Sequence, residues 1–431
     1  MNTTETNTLS DRGWLSLLML VVCLPRMAID AYLPSLPAMA DALHGTDAQM
    51  QLTLTMYMAG YALSMLLSGP LSDRYGRRPV LLAGMLVYLG ASVACATATS
   101  VQGIVVARIG QALGGCCGTV IGRVIVRERF GTAMQAAMLS RISAGMALSP
   151  VVAPLAGHVV AQWLGWRGVF ASLAFGGAAA ALMVHRFLPE TRVRAAASER
   201  GAGLAKTYLS LLRNRRFVRY SLAIGFVYCT YFPFIAESSA LFQRTLRASG
   251  AVYAAIFGIT VLGYLIGSSV FRRASGRFGI DAIIASAAFV NLVGAAALWI
   301  GTSVAPPSVW SIALPMFVVM VSVGVSIPAC QFAVLQPFAK LAGTASGLFF
   351  FIQMAMTAGC GGMLSRLSDG SARPMAVVTA ASSAAFMAVV MLVRTRGANG
   401  RRGCAASACR CSRSRPRADA LHGRRFPPRA A

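Results

Sequence analysis

Apolar residues recur along nearly all of the 431-residue chain in long runs separated by short polar stretches. Within a run they are continuous rather than alternating, the pattern of helices that meet apolar surroundings on every side. Twelve runs have about the length needed to cross a bilayer, roughly 20 residues. They are residues 14–36, 51–68, 79–98, 101–125, 133–160 and 169–188, then 217–242, 251–271, 280–300, 309–332, 343–364 and 374–393. In lipid every backbone polar group must be satisfied within the protein, so spans are helices or closed barrels, and continuous runs select helices. The pattern predicts an all-α membrane protein with twelve transmembrane helices in two six-helix halves, 14–188 and 217–393. A polar N-terminus (1–13), a central linker (189–216) and a basic tail (394–431) complete it. The first residues carry Glu5 and Asp11 and lack the basic start of a cleavable signal peptide, so the first run is expected to stay as a helix.

Composition changes the picture in one respect. The chain is 56% hydrophobic and 12% charged, too apolar for a soluble domain, yet its formal net charge is +26. Such a charge would suit nucleic acid, but it collects in loops and in the last forty residues, so the expected partner is the lipid bilayer and not nucleic acid. Arg74, Arg77 and Arg78 follow the second run, Arg127 and Arg129 the fourth, Arg192 to Arg216 the sixth, and Arg272, Arg273 and Arg277 the eighth. No Lys or Arg follows runs one, three and nine; Arg167, Arg244, Arg247, Arg366 and Arg373 are outward exceptions. The positive-inside bias then puts both termini of a multi-pass membrane protein in the cytoplasm. The tail is Arg-, Gly-, Ser- and Pro-rich without a periodic apolar face, which reads as disorder or as a lipid-binding polybasic segment. Seven of the ten cysteines lie in apolar runs without metal spacing and are read as small buried hydrophobes.

The loop between runs two and three reads Gly69-Pro70-Leu71-Ser72-Asp73-Arg74-Tyr75-Gly76-Arg77-Arg78-Pro79. It resembles the signature loop of the major facilitator superfamily. Further motifs resemble drug:proton antiporters of the bicyclomycin- and chloramphenicol-resistance type. They are Ile29-Asp30-Ala31-Tyr32-Leu33-Pro34 with Pro37, and Arg108-Ile109-Gly110-Gln111-Ala112-Leu113-Gly114, in which Ala112 replaces a glycine. Gly145, Pro150, Pro154 and Gly157 resemble the fifth-helix antiporter motif, with Ala153 and His158 in place of two glycines. Leu188-Pro189-Glu190-Thr191 and the stretch opening run eleven also fit, and Arg272 to Gly279 resembles a degenerate repeat of the signature loop. The resemblance implies halves related by an axis along the membrane normal. It implies an inner gate latch of Gly69, Asp73, Arg74, Gly76, Arg77, Arg78 and Glu128, with the aspartate capping a helix of the other half, which holds an outward-open state. Separate solvated charges are the alternative. It also places Tyr32, Tyr57, Tyr61, Gln111, Tyr228, Tyr231, Phe232 and Phe350, with Phe234 and Phe351, at a substrate cavity.

Ionisable residues inside spans are costly and point to function. Arg26, Asp30, Arg108, Arg123, Arg141 and Glu237 qualify. At 1.5 Å per residue, Asp30 and Arg108 lie about 9 and 10 Å below the same membrane face, so they can pair directly or through water. Burial favours the neutral acid and a nearby arginine the carboxylate, which suits a proton-coupling site. Two rival readings stand: Asp30 caps or kinks the helix beside Pro34, or it pairs with Arg26 at i−4. Glu237 follows Pro233, which is expected to break the seventh helix, and is either a second proton or cation site or an interfacial carboxylate. His158 is a further titratable group, read as inert in most such settings.

These readings predict a proton-coupled exporter of small amphipathic drugs, working by alternating access as a monomer. It needs no cofactor or metal beyond the proton gradient. One proton moving inward supplies about 2.3 kcal/mol per 100 mV and about 1.4 kcal/mol per pH unit. No Gly-x4-Gly-Lys-Ser/Thr loop is present, which excludes an ATP-driven pump within the chain, and no His-Glu-x-x-His or nucleophile constellation suggests an enzyme. A carrier of an endogenous metabolite and a non-transporting receptor are the alternatives.

Overall fold

The computed structural model describes residues 10–191, 204–304 and 306–408. Its helices are α1 (Asp11–Asp30), α2 (Leu36–Ala42), α3 (Asp47–Tyr75), α4 (Arg77–Thr97), α5 (Val101–Arg129), α6 (Thr132–Phe187) and α7 (Leu204–Arg213). They continue as α8 (Arg215–Ala240), α9 (Gly250–Ala274), α10 (Ile280–Val304), α11 (Val309–Leu335), α12 (Ala342–Leu367) and α13 (Arg373–Ala408). Among the described residues, eleven helical segments are long and apolar enough to span a bilayer, and one of them carries two spans. That one is α6, a 56-residue helical stretch in which Gly165 alone takes a non-helical conformation, at φ +67° and ψ −177°. A side chain is strained at that φ, so a glycine is what allows the chain to reverse there between runs five and six.

The helices alternate between two ends of the bundle. The basic end carries Gly76 and the arginine-rich connections; the far end carries the starts of α3, α5, α9 and α11. Each of those four helices opens on a hydroxyl cap, from Thr46, Ser100, Ser249 and Ser308. The cap accepts an N–H that the helix itself leaves orphaned. Packing in the two halves repeats. In the first half α5 packs on α3 and α4; in the second α11 packs on α9 and α10. Between halves α3 meets α12 and α6 meets α9, the pairs that an axis along the bundle exchanges. Phe175, Phe289, Trp299 and Leu314 point outward, where lipid is their solvent. The chain divides into two units, Met1–Val390, which holds this bundle, and Met391–Ala431.

Several boundaries differ from the sequence reading. The first span is broken: α1 ends at Asp30 and a 3₁₀ turn, Leu33–Ser35, precedes α2. Pro34 and Pro37 have no N–H to give the carbonyls of Asp30 and Leu33, so the helix cannot continue through them. Pro233 does not break the seventh helix, because α8 runs through it. The carbonyl it strands, that of Cys229, faces the Cys360 thiol at 3.9 Å. The irregularity falls later, as a π turn at Leu241–Thr245. α3 continues to Tyr75, so Gly69 and Pro70 lie inside a helix rather than at the turn. The polar linker contains α7, whose Leu211 is buried while Leu209 and Leu212 are exposed; Arg192, Arg194 and Arg200 lie outside the described residues. α13 extends to Ala408, past the expected end at residue 393, and residues 409–431 lie outside the described residues.

Candidate functional site

A cavity of about 630 Å³ lies between the halves and reaches the basic end. Arg26 and Asp30 of α1, Tyr61 of α3, Arg123 of α5, Tyr228, Tyr231 and Phe234 of α8, and Phe350 of α12 line it, and Arg272 stands at its basic end. Asp30 is 1% exposed and neither carboxylate oxygen has a hydrogen-bond partner among the described residues. The cations whose charge reaches it are Arg26, one turn earlier, and then Arg108.

Neither arginine closes an ion pair with Asp30. Arg108 is fully buried and held otherwise. Its guanidinium carbon lies 4.3 Å from the centroid of the Tyr32 ring and 4.1 Å from that of Tyr57. Its Nη1 donates to the Ala28 carbonyl at 2.9 Å and to Gln111 Oε1 at 2.6 Å, and Gln111 Nε2 donates to Ser92 Oγ at 2.8 Å. Two aromatic faces and a carbonyl thus stand where a carboxylate would, while Nε and Nη2 of Arg108 have no hydrogen-bond partner among the described residues. The grip on Ala28 fastens α5 to α1 two residues before Asp30, so Arg108 positions the acid without neutralising it.

Of the residues expected at the cavity, Tyr61, Tyr228, Tyr231 and Phe350 line it, while Tyr32, Tyr57, Gln111 and Phe232 stand behind the wall. The first three of those serve Arg108. Phe232 packs where a Cβ on Gly361 would meet its ring at 2.7 Å. Glu237 is not in the cavity either. It is buried at the far end, where Gln51 Nε2 reaches its Oε1 at 3.5 Å and Ser368 Oγ at 3.4 Å.

That far end is where polar ties join the halves. Carbonyls around the break in the first span are met by α8 and the turn after it: Ser239 Oγ donates to Leu33 O at 2.5 Å, Gln243 Nε2 to Pro34 O at 3.0 Å, and Arg244 Nη2 to Pro37 O at 2.9 Å. Arg244 also pairs with Asp41 at 2.6 Å and Asp47 at 3.4 Å. These pairs are partly exposed and are worth about 0–1 kcal/mol each. Arg244→Ala is therefore expected to raise the population with an open far end by up to about thirtyfold. Labelling of a cysteine placed at Ser35, buried at the same break, checks this, and an unchanged labelling rate would deny Arg244 that role.

At the basic end the structure gathers most of the expected latch. Arg77 Nη1 donates to Ser72 Oγ at 2.8 Å and to Asp73, and its Nη2 to Glu128 Oε1 at 2.9 Å. Thr191 Oγ1 donates to Glu128 Oε2 at 3.2 Å. Arg78 Nη2 donates to the His185 carbonyl at 2.7 Å, and Arg74 lies over the Tyr75 ring. All of these groups belong to the first half, save Thr191 at the start of the linker. Asp73 has a side chain 68% exposed and bonds Arg77, and it caps no helix of the other half in this conformation. Gly69 also stands apart, since a Cβ there would meet nothing within 4 Å. Gly76 sits at φ +104°. Beside it Glu190 accepts the N–H groups of Arg77 at 2.8 Å and Arg78 at 3.2 Å, an acid capping the start of α4. Sequence reasoning noted Glu190 only within a motif and gave it no task. The signal was an acid just after the proline that stops the sixth span. Glu190→Ala is expected to cost about 1 kcal/mol, read as a lower midpoint of thermal unfolding; a midpoint equal to wild type would remove the cap from the account.

In the helix-five motif, Gly157 lets α6 touch the break in the first span: a Cβ there would sit 1.7 Å from the Ala31 carbonyl oxygen. Gly145 faces the end of Met19 instead, and Pro150 lines the cavity.

A two-halved helical bundle, tied at one end and enclosing a charged cavity open toward the other, defines a membrane transporter. The chain belongs to the major facilitator superfamily, whose family model matches residues 18–361. It is 30% identical to a chloramphenicol resistance protein of Pseudomonas aeruginosa over 88% of this chain and 90% of that protein. It is 27% identical to multidrug resistance protein D of Escherichia coli, over 83% and 90%. Among solved structures, a D-xylose-proton symporter matches with TM-score 0.69 at 15% identity, covering 87% of this chain and 97% of the other. A bacterial homologue of the lysosomal transporter Spinster, inward-facing and occupied, matches with TM-score 0.66 at 17% identity, covering 89% and 94%. At these identities the two structures speak for the fold.

Proposed function

We propose that this protein is a proton-coupled exporter of small amphipathic compounds that works by alternating access, with Asp30 as the group that carries the proton. One observation supports this above the others: a buried carboxylate in the cavity wall whose oxygens have no partner among the described residues. Two arginines act on it and neither pairs with it, so it is free to gain and lose a proton as the cavity changes sides. The positive-inside rule assigns the basic end to the cytoplasm, and with it both termini, in the inner membrane of a bacterium. The conformation described then faces inward, with the Arg244 and Ser239 ties closing the outer side. The latch of Arg77, Asp73 and Glu128 awaits its partner half, which it meets on outward opening. The working unit is the monomer, and the proton gradient takes the place of any bound cofactor.

The relatives make chloramphenicol the first compound to try. Its accumulation in cells with and without the protein, before and after an uncoupler collapses the gradient, tests the reading. Lower accumulation that the uncoupler abolishes is the expected result, and accumulation indifferent to the gradient would refute proton coupling. A second reading, transport of an endogenous metabolite in either direction, draws on the loss of two helix-five glycines to Ala153 and His158. The sign of the gradient-dependent flux decides between them.

A further inference from the structure

Among the described residues, three arginines and one carboxylate face the cavity: Arg26, Arg123 and Arg272 against Asp30. Arg26 and Asp30 lie one turn apart on α1, so their charges offset one another at short range. Arg272 is exposed at the basic end, with its Nη2 at 2.9 Å from Ser269 Oγ, where water screens it. Arg123 is placed differently. It is half-buried on α5, and its guanidinium meets the Met146 sulfur at 3.8 Å and the Phe350 ring at 5.3 Å. The charged and titratable groups that act on it are Tyr61, Arg127 and Tyr228, with no carboxylate among them. Glu128, the acid closest in sequence, is engaged by Arg77 and Thr191. A guanidinium partly withdrawn from bulk water without an anion beside it carries a desolvation cost, and a bound anion relieves it.

We infer that the cavity takes amphipathic organic monoanions. Arg123 receives the carboxylate or a comparable oxyanion, and Tyr61, Tyr228, Phe350 and Met146 receive the apolar or aromatic body. The inference rests on the reading of this cavity as the cargo site, and names the chemical class of that cargo. A planar guanidinium matches a carboxylate with two parallel hydrogen bonds, a geometry that a neutral hydroxyl cannot reproduce. A cationic head group at the same place meets Arg123 and Arg127 as like charges. Arg123 lies about 22 Å along α5 from Arg108, at 1.5 Å per residue, whereas Asp30 lies beside Arg108. The anion site and the proton-carrying group are thus separate places along one cavity.

The test is equilibrium dialysis of the full-length protein in nanodiscs of neutral lipid, with empty nanodiscs as the blank. The probes are 1-naphthaleneacetate, 1-naphthaleneethanol and 1-naphthylmethyl-trimethylammonium. The anion is expected to bind at least about tenfold more tightly than the cation, with the alcohol between them. Arg123→Gln is expected to bring the three affinities within about threefold of one another, and Arg123→Lys to keep their order. An order that survives Arg123→Gln, a tighter cation, or no protein-dependent binding of the anion would overturn the inference. Binding at equilibrium needs no gradient. Flux without anion preference therefore refutes this site alone, and anion preference without proton-driven flux refutes the coupling alone.

Discussion

Asp30→Asn is expected to end concentrative transport. With 100 mV and one pH unit across the membrane, one proton supplies about 3.7 kcal/mol, enough to sustain a concentration ratio of several hundredfold for an uncharged cargo. Asparagine keeps the shape of the side chain and cannot ionise. Proteoliposomes holding the variant are therefore expected to let the ratio decay to about one, while exchange of labelled for unlabelled cargo continues without a gradient. The split matters, because a merely misfolded variant loses both. A variant that still builds the full ratio would show that Asp30 carries no proton for transport.

Gly157→Ala is the change with the largest expected effect on the fold itself. The added Cβ would fall 1.7 Å from the Ala31 carbonyl oxygen and 2.6 Å from its carbon. These are backbone atoms at the break in the first span, and only a shift of α6 away from α1 makes room. Overpacking of this kind costs typically about 1–3 kcal/mol, and an immovable backbone neighbour places Gly157 at the upper end. Gly145→Ala in the same motif is the control. Its Cβ would meet Met19 Cε at 2.4 Å, the far end of a flexible side chain that can swing aside. Thermal unfolding of the purified variants is expected to show a clear loss for Gly157→Ala and little for Gly145→Ala. Equal midpoints for the two would mean that α6 and α1 do not approach as described.

Much of the architecture was legible from the apolar runs, because a helix in lipid has to be long, apolar and internally bonded. The two spans folded into α6 were separable because a break in apolarity falls close to Gly165. The site was legible in its parts but not in its pairings. Asp30 and Arg108 stood out as charges inside spans, and equal depth made them look like partners. Depth says nothing about direction around the helix, and Arg108 turns instead to the Tyr32 and Tyr57 rings and the Ala28 carbonyl. Pro233 looked like a helix breaker because sequence cannot show a thiol from another helix, that of Cys360, facing the stranded carbonyl. Pro34 and Pro37 did break their helix, and carbonyls around that break, those of Leu33, Pro34 and Pro37, became the ties to Ser239, Gln243 and Arg244. Those contacts join segments some two hundred positions apart, a distance at which local patterns are silent.

The central claim is that Asp30 gains and loses a proton inside the membrane. Difference infrared spectroscopy of carboxyl groups, taken between acidic and alkaline pH on the reconstituted protein, reads that proton directly. The account predicts a protonated-carboxyl band that fades as pH rises, is missing from Asp30→Asn and persists in Glu237→Gln. A band unaltered by the Asp30 substitution would contradict it.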